Sequence, residues 1–417
     1  MNLSSLLLMR QELLLIGLIL ILLIASIGRM NKPARGIINL GIFLFGALTV
    51  YGFFPQQSGT VFGGMYQVTH TTLIMKNILN IGVFIILLQS ASWVLSDENK
   101  GNSIEFILIL LSTLLGMDYM ISAGDFLMFF LGLEMATIPL ALLAAYEVKK
   151  IKSLEAGTKL ILLSALSSAI ALMGISLIYG ANGSIYFDIL SSSIQATNLN
   201  VLGMLFFFGG LAFKISLVPF HFWTADVYEG APLPVTSYLS VISKGAAAFV
   251  LVMILYKVFP ALIESWTLAL YVVSVLTMTI GNLFAIRQTN IKRFLAFSSI
   301  AQAGFILLGI VAASQLGMAS VVYFVMVYIF SNLGAFGVAQ AIYNKTGKEN
   351  ISDYNDLYKT NPKLSLLMTL AVFSLAGIPP LAGYFGKFFL FLAVAGQGYY
   401  ALLIIAVLNT IISLYYY

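Results

Sequence analysis

Charge is what this sequence has least of. Asp, Glu, Lys and Arg make up 9% of its 417 residues, against about 25% in an ordinary soluble domain. So little polar surface cannot face water, and the bilayer is the expected solvent. Cysteine is absent, which excludes disulfides, thiolate zinc sites and iron–sulfur ligation by this chain. The two histidines, His70 and His221, are too few for a haem or an ordinary metal centre. No Gly-rich phosphate loop, dinucleotide fingerprint or nucleophile elbow occurs, so the chain has no means of its own for moving electrons, and nothing points to nucleic acid. No small-residue cleavage site follows the first apolar run, which therefore reads as a retained helix.

What is there is apolar: 60% of residues are hydrophobic. About thirteen stretches meet the roughly 20-residue requirement for a membrane span, near 12–28, 36–54, 73–95, 104–121, 124–146, 156–179, 200–223, 233–256, 266–286, 293–313, 317–343, 363–397 and 398–417. The fold class is all-α, a polytopic transmembrane bundle. The twelfth stretch is too long for one straight span and contains Gly377-Ile378-Pro379-Pro380, so it should break midway. The seventh holds Lys214, with Pro219 just beyond. Such breaks survive only where protein or a wet cavity satisfies the freed backbone. Residues 181–199 are mixed and polar and read as an outer loop with a short surface helix. The chain closes inside an apolar run at Leu414-Tyr415-Tyr416-Tyr417, which reads as a missing C-terminal helix.

The net charge of +5 could signal an acidic partner, but its distribution argues for topology. Arg29, Lys32, Arg35, Lys100, Lys149, Lys150, Lys152, Arg287, Lys292, Arg293, Lys345, Lys348, Lys359 and Lys363 fall in loops that follow odd-numbered stretches. The opposite side has Arg10, Lys76 and Lys257. The positive-inside rule then places the first set in the cytoplasm and the N-terminus outside a cell inner membrane. Stretches four to eight and nine to thirteen form two five-helix blocks, each with a broken helix fourth in order carrying one lysine, Lys214 or Lys387. An odd number of crossings inverts the second block, a transporter signature. The expected units are 1–103, 104–256 and 257–417.

Four basic residues remain once the loops are removed: Lys159, Lys214, Lys244 and Lys387. Glu134 joins them in the fifth stretch. Each such charge at mid-bilayer costs about 2.5–3.5 kcal/mol, so the set implies a purpose, and a polar axis for hopping protons is the natural one. Loss of hydration disfavours the charged form of an ammonium and a nearby carboxylate restores it, so moving Glu134 against Lys214 would load or release a proton. Lys159 reads equally as a lysine snorkelling to the interface or as a relay member. His221, in an aromatic and polar run at 219–232, reads equally as a proton feeder or as part of an interfacial belt. Asp226 and Glu229 read as ordering that loop. Asp118 and Asp125 read as solvated groups at an outer turn.

Four segments resemble a known family. PFHFWTADVYEGAPLPVTSYLSVISK at 219–244 is similar to the signature of the N-type antiporter-like subunit of NADH:quinone oxidoreductase, respiratory complex I. GDFLMFFLGLEMATIPLALLAAY at 124–146, RQTNIKRFLAFSSIAQAGF at 287–305 and LAGIPPLAGYFGKFFLF at 375–391 resemble further segments of it. The resemblance implies fourteen helices with two inverted five-helix units. It makes Glu134 and Lys214 the charged pair of the first half-channel, Lys244 the central relay and Lys387 the exit-side lysine. It also implies a proton-pumping role driven by quinone reduction in neighbouring subunits. The partners would be an M-type antiporter-like subunit, the small K- and J-type subunits and the lipid bilayer. No cofactor is expected in this chain; quinone, NADH, FMN and iron–sulfur clusters would lie elsewhere in the complex. One departure is Gln302, where the family often has histidine. Glutamine cannot hold an extra proton, so that step would need water or a neighbour such as Tyr323 or Tyr328. A subunit of a cation/proton antiporter without redox drive, or a non-pumping membrane scaffold, would be the competing readings.

Overall fold

The structure is a computed structural model that describes residues 6–27, 35–96 and 102–417. Arg29, Lys32 and Lys100 lie outside the described residues. Helices dominate: α1 Arg10–Ile27, α2 Arg35–Tyr51, α3 His70–Val94, α4 Ser103–Ile121, α5 Phe126–Ala144, α6 Ile151–Asn182, a short α7 Phe187–Ser193, α8 Asn198–Ile215 and α9 Phe222–Gly230. They continue as α10 Leu233–Val258, α11 Ile263–Ala285, α12 Ile291–Val311, α13 Gln315–Thr346, α14 Pro362–Ala376, α15 Ala382–Gly396 and α16 Tyr400–Tyr416. Ten spans among the described residues are long and apolar enough to cross a membrane, so this is a multi-pass membrane protein. One antiparallel hairpin, β1 Gly59–Val61 with β2 Tyr66–Val68, covers one end.

The helix boundaries follow local chemistry. Thr69 closes a capping box with Thr72 at the start of α3, and the side chains of Asp125, Thr197, Asn290 and Ser314 accept backbone N–H groups at the starts of α5, α8, α12 and α13. The two 32-residue helices, α6 and α13, both stop at a left-handed glycine, Gly183 and Gly347. α8 ends where Ser216 takes φ 67°, and α14 where Gly377 takes φ 88°. A short run of turns then separates each from the next helix, α9 or α15.

Packing sorts the helices by where apolar residues face. In α12 every residue from Phe294 to Val311 is buried, and α10 is buried almost throughout, as expected of helices that are apolar all round. Helices α4 and α5 meet through Gly116 and Gly132, and α11 and α12 through Gly281 and Gly304. A Cβ at any of the four would come within 2.7 Å of the opposing backbone. Close backbone approach through small residues is how helices gain contact in lipid, where no hydrophobic drive exists. Leucine and phenylalanine side chains of the outer helices, such as Leu88, Leu142, Leu268 and Phe330, remain exposed on the perimeter, where acyl chains are their solvent.

Each end of the bundle is tied by polar contacts. At one end Lys257 pairs with Asp188 at 2.7 Å and bonds Gln67 at 2.5 Å, joining α10, α7 and the hairpin. At the other, Asn290 bridges to Asn350 and Lys292 pairs with Glu349 at 2.9 Å. Residues 181–199 contain the short helix α7, whose Phe187 and Leu190 are buried.

Two expectations fail at the first of these ends. Asp118 and Asp125 are 1% and 0% exposed, not solvated: the hairpin folds over the α4–α5 turn, and Asp125 is engaged as the N-cap of α5. Lys76 is not a loop residue but a buried one at 1% exposure, paired with Glu12. Its place near a helix end suggested access to water, which α1 and the hairpin close off.

Candidate functional site

Lys214, Lys244 and Lys387 are all buried inside the bundle. Lys214 sits in the last turn of α8, 6% exposed, and its ammonium donates to the hydroxyl of Thr137. Thr137 lies on α5 one turn after Glu134, so the carboxylate and the ammonium's partner share a helix face. Glu134 Oε1 is buried and has no hydrogen-bond partner. The pair is therefore poised rather than closed.

Lys244 is 2% exposed. It follows a π-helical turn, Leu239–Ser243, within α10. Its ammonium donates to Ser299 Oγ of α12 at 2.7 Å and lies 5.3 Å from the ring centre of Tyr228. The π-turn exposes Ser240 to a second cluster: Asn332 donates to Ser240 Oγ at 3.0 Å and to the Tyr328 hydroxyl at 2.5 Å. The Tyr228 hydroxyl lies beside Ser240 and Ser299 without closing a well-formed bond to either.

One turn beyond Ser299, Gln302 donates to Leu375 O at 3.0 Å and to the Tyr417 hydroxyl at 3.2 Å. Leu375 belongs to the last turn of α14. The next carbonyl, Ala376 O, accepts from Lys387 at 2.9 Å, and Lys387 is 3% exposed with its ammonium 4.6 Å from the Phe305 ring centre. Lys387 thus occupies the negative end of the α14 dipole, where a cation is favoured. Neither Tyr323 nor Tyr328 bonds Gln302. Tyr323 packs edge-on to Phe389, and Tyr328 is engaged with Asn332.

Lys159 and His221 part company. Lys159 lies at the bundle end, over a third exposed, and pairs with Asp226 at 2.7 Å and Glu155 at 2.6 Å. Arg293 holds both Asp226 and Glu229 at 2.9 Å, and Lys152 holds Glu229 at 2.8 Å. Burial alone would push both carboxyls up. Lys159 and Arg293 outweigh it at Asp226, Lys152 and Arg293 at Glu229, and both stay below the usual carboxylate range. These groups line an open cavity of about 210 Å³. His221 lies in the segment between α8 and α9, 7% exposed, with an unpartnered Nδ1 and its ring 4.5 Å from Phe222. The charge of Lys244 reaches it.

Sequence reasoning missed the hydroxyl and amide groups between the lysines: Thr137, Tyr228, Ser240, Ser299 and Asn332; Tyr328 it named, but for Gln302, which it does not bond. Uncharged polar residues are common in membrane helices, and nothing in the sequence singled these out, although Thr137, Tyr228, Ser240 and Ser299 fall inside the runs quoted above. It also missed Glu12, a carboxylate in the first turn of an apolar helix. No group of three or more His, Cys, Asp or Glu residues able to hold a metal ion occurs among the described residues.

This geometry can be set beside known proteins. The chain matches the family described as NADH:quinone oxidoreductase/Mrp antiporter, transmembrane, over residues 123–413. It is 50% identical to NADH-quinone oxidoreductase subunit N of Phocaeicola vulgatus over 418 residues, covering 100% of this chain and 88% of that one. The chain belongs to the subunit N family of NADH-quinone oxidoreductase. Another subunit N, from Rhodospirillum rubrum, is 38% identical, over 97% of this chain and 85% of its own length. Among solved structures, respiratory complex I from Thermus thermophilus contains a chain 28% identical with a TM-score of 0.82, covering 97% of this chain and 87% of that one. The Mrp complex from Dietzia sp. shares the fold, with a TM-score of 0.85 at 21% identity, over 100% of this chain and 79% of that one.

Proposed function

We propose that this chain is the proton-translocating membrane subunit of an NADH:quinone oxidoreductase. It couples quinone reduction elsewhere in the complex to proton movement through its own buried polar axis. The observation that carries the reading is Lys244, a mid-helix ammonium at 2% exposure within 2.7 Å of Ser299. Membership of the subunit N family supports it. Glu134 and Lys214 form the entry pair: swinging the ammonium from Thr137 to Glu134 captures a proton on the pair, and swinging it back releases one. Lys244 relays, and Gln302 positions water or hydroxyl groups towards Lys387, from which the proton exits. His221 feeds the pair from the aromatic mouth. Lys159 orders the ionic cluster at the mouth rather than carrying protons, since two carboxylates hold it.

The end bearing Asp226, Arg293 and Lys150 is the cytoplasmic one, by the positive-inside rule, and the membrane is the cell inner membrane. The blocks 104–256 and 257–417 are inverted repeats following an N-terminal unit, 1–103. In both, a Gly-paired first and second helix, a 32-residue third and a broken fourth recur in order. Neighbours would be the M-type antiporter-like subunit and the small K- and J-type subunits. NADH, FMN, iron–sulfur clusters and quinone would be bound by the rest of the complex and none by this chain. A sodium/proton antiporter subunit shares the fold. A scaffold would need no ammonium at mid-membrane.

The test is complementation of a strain lacking this subunit, with inverted vesicles assayed for NADH-driven lumen acidification with and without sodium. Acidification restored by this chain and indifferent to sodium supports the redox-driven reading. Transport that requires sodium and persists without NADH supports the antiporter.

A further inference from the structure

The bundle end opposite the Asp226 cluster holds ionisable groups that the relay above does not use. Lys76, in the second turn of α3, and Glu12, in the first turn of α1, are each 1% exposed and form an ion pair. The Lys76 ammonium also donates to the Tyr66 hydroxyl at 3.2 Å and lies 5.2 Å from that ring's centre. Asp118, in the last turn of α4, is also 1% exposed, and its charge acts on Lys76. Beneath the β1–β2 hairpin, Glu12 and Lys76 are thus paired, and Asp118 on a third helix acts on Lys76 by its charge without an ion pair to it.

A structural pin between α1 and α3 would need only Glu12 and Lys76, and the surroundings hold more. Asp118 Oδ1, Ser122 Oγ and both side-chain polar atoms of Asn80 are buried without a protein partner. Buried polar atoms are nearly always paired, and a cluster of orphans able both to give and to accept hydrogen bonds is suited to water and mobile protons. The cluster also connects inwards. Asn80 follows Lys76 by one turn, and just beyond it Gly82 abuts Ile242 of the π-turn and Ile329 of α13. From α4, Thr113 donates to the Tyr238 hydroxyl at 2.8 Å, and Tyr238 immediately precedes the π-turn that carries Ser240. Outwards, the orphaned Ser122 sits between Ile121 and Ala123, which line a cavity of about 70 Å³ together with mainly apolar side chains such as Met120 and Val250 and with Gln67 and Lys257.

We propose that Glu12, Lys76 and Asp118 form a second proton-release site, through which protons leave the central axis at the N-terminal three-helix unit. Through an intervening water, the Lys76 ammonium gives a proton to the Asp118 carboxylate: an N–H bond breaks on Lys76, an O–H bond forms on Asp118, and the water is regenerated. Asp118 then passes the proton by way of Ser122 to water in the outer cavity. The neutral amine left on Lys76 is reprotonated from the axis through water held at Asn80. Glu12 stays ionised throughout and keeps Lys76 in place, and no electrons move. This inference rests on the relay reading of the previous subsection.

The test uses the assembled complex in inverted vesicles, reading lumen acidification and quinone reductase rate together for Lys76→Arg, Asp118→Asn and Asp118→Glu. Arginine keeps the pair with Glu12 but does not give up its proton. The expected result is several-fold slower acidification in Lys76→Arg and Asp118→Asn, with most of it recovered in Asp118→Glu. Wild-type acidification in both Lys76→Arg and Asp118→Asn overturns the release site. If Lys76→Arg does not assemble, the near-isosteric Asp118→Asn decides alone. Lys244→Met, assayed in parallel, separates the two readings. Its loss of pumping beside wild-type release-site variants refutes only the release site, whereas wild-type pumping in Lys244→Met refutes the relay itself.

Discussion

Replacing Lys244 by methionine isolates the chemistry of the axis from its packing. Methionine has nearly the length and volume of lysine, so the core cost stays under about 1.5 kcal/mol. Ser299 is not orphaned, because its hydroxyl also donates to Ala296 O at 2.7 Å. The complex should therefore assemble. What disappears is the group proposed to accept charge between the Thr137–Lys214 pair and the Gln302–Lys387 end. An unaided charge at mid-bilayer costs roughly 2.5–3.5 kcal/mol, which at about 1.4 kcal/mol per factor of ten slows that hop on the order of a hundredfold. Inverted vesicles should show NADH-driven acidification and quinone reductase falling together by about tenfold or more, since a blocked hop stalls the coupled electron transfer. Lys244→Arg should fall as well, because arginine keeps the charge but does not release it. An assembled Lys244→Met complex that pumps at the wild-type rate would refute the reasoning.

Gly383→Ala should prevent stable assembly, because its Cβ would lie 1.7 Å from Ser374 O where α14 meets α15; subunit levels in membranes by immunoblot check this. Trp223→Phe removes the indole donor at 3.0 Å from Phe213 O near the end of α8 and should cost about 0.5–1.5 kcal/mol, read as a lower unfolding temperature in detergent. The Asp226–Glu229 cluster makes stability depend on pH. Both carboxyls are held below their unfolded values, so their contribution is complete above about pH 4 and fades as pH falls through the lowered folded values. Asp226→Asn should flatten that acid limb while costing no more than about 1 kcal/mol near neutrality, because the pairs are solvent-screened; thermal unfolding between neutral and acidic pH measures it.

The helices and their two breaks were legible because length and apolarity decide what crosses a bilayer, and because Gly377-Ile378-Pro379-Pro380 and Pro219 cannot continue a helix. The burial of Lys214, Lys244 and Lys387 was legible for the same reason, because each lies deep within an apolar run. Lys76 and Asp118 were misread because distance along a helix is a poor measure of access to water. Each lies within two turns of a helix end, where a side chain ordinarily reaches the interface, yet the hairpin at 59–68 and α1 close over both. That covering is made by residues some tens of positions away, and no local pattern announces it. The pairing of Glu12 with Lys76 could have been suspected from two opposite charges in neighbouring apolar helices. The hydroxyl chain through Ser299 and Ser240 could not, because serine in a membrane helix is unremarkable until its partner is known.

The π-turn just before Lys244 has a mechanical meaning. α10 is hemmed in on all sides, so it cannot slide or tilt as a rod. Its one extra residue per turn is stored slack. Passing the bulge from Leu239–Ser243 to the far side of Lys244 would swing that lysine by roughly 100° and move it about 1.5 Å along the axis, while both ends of the helix stayed where they are. A switch of this kind needs no hinge and no moving subunit. Under the proposed relay, a local change in who bonds Ser240 would turn the central ammonium from one neighbour to the next.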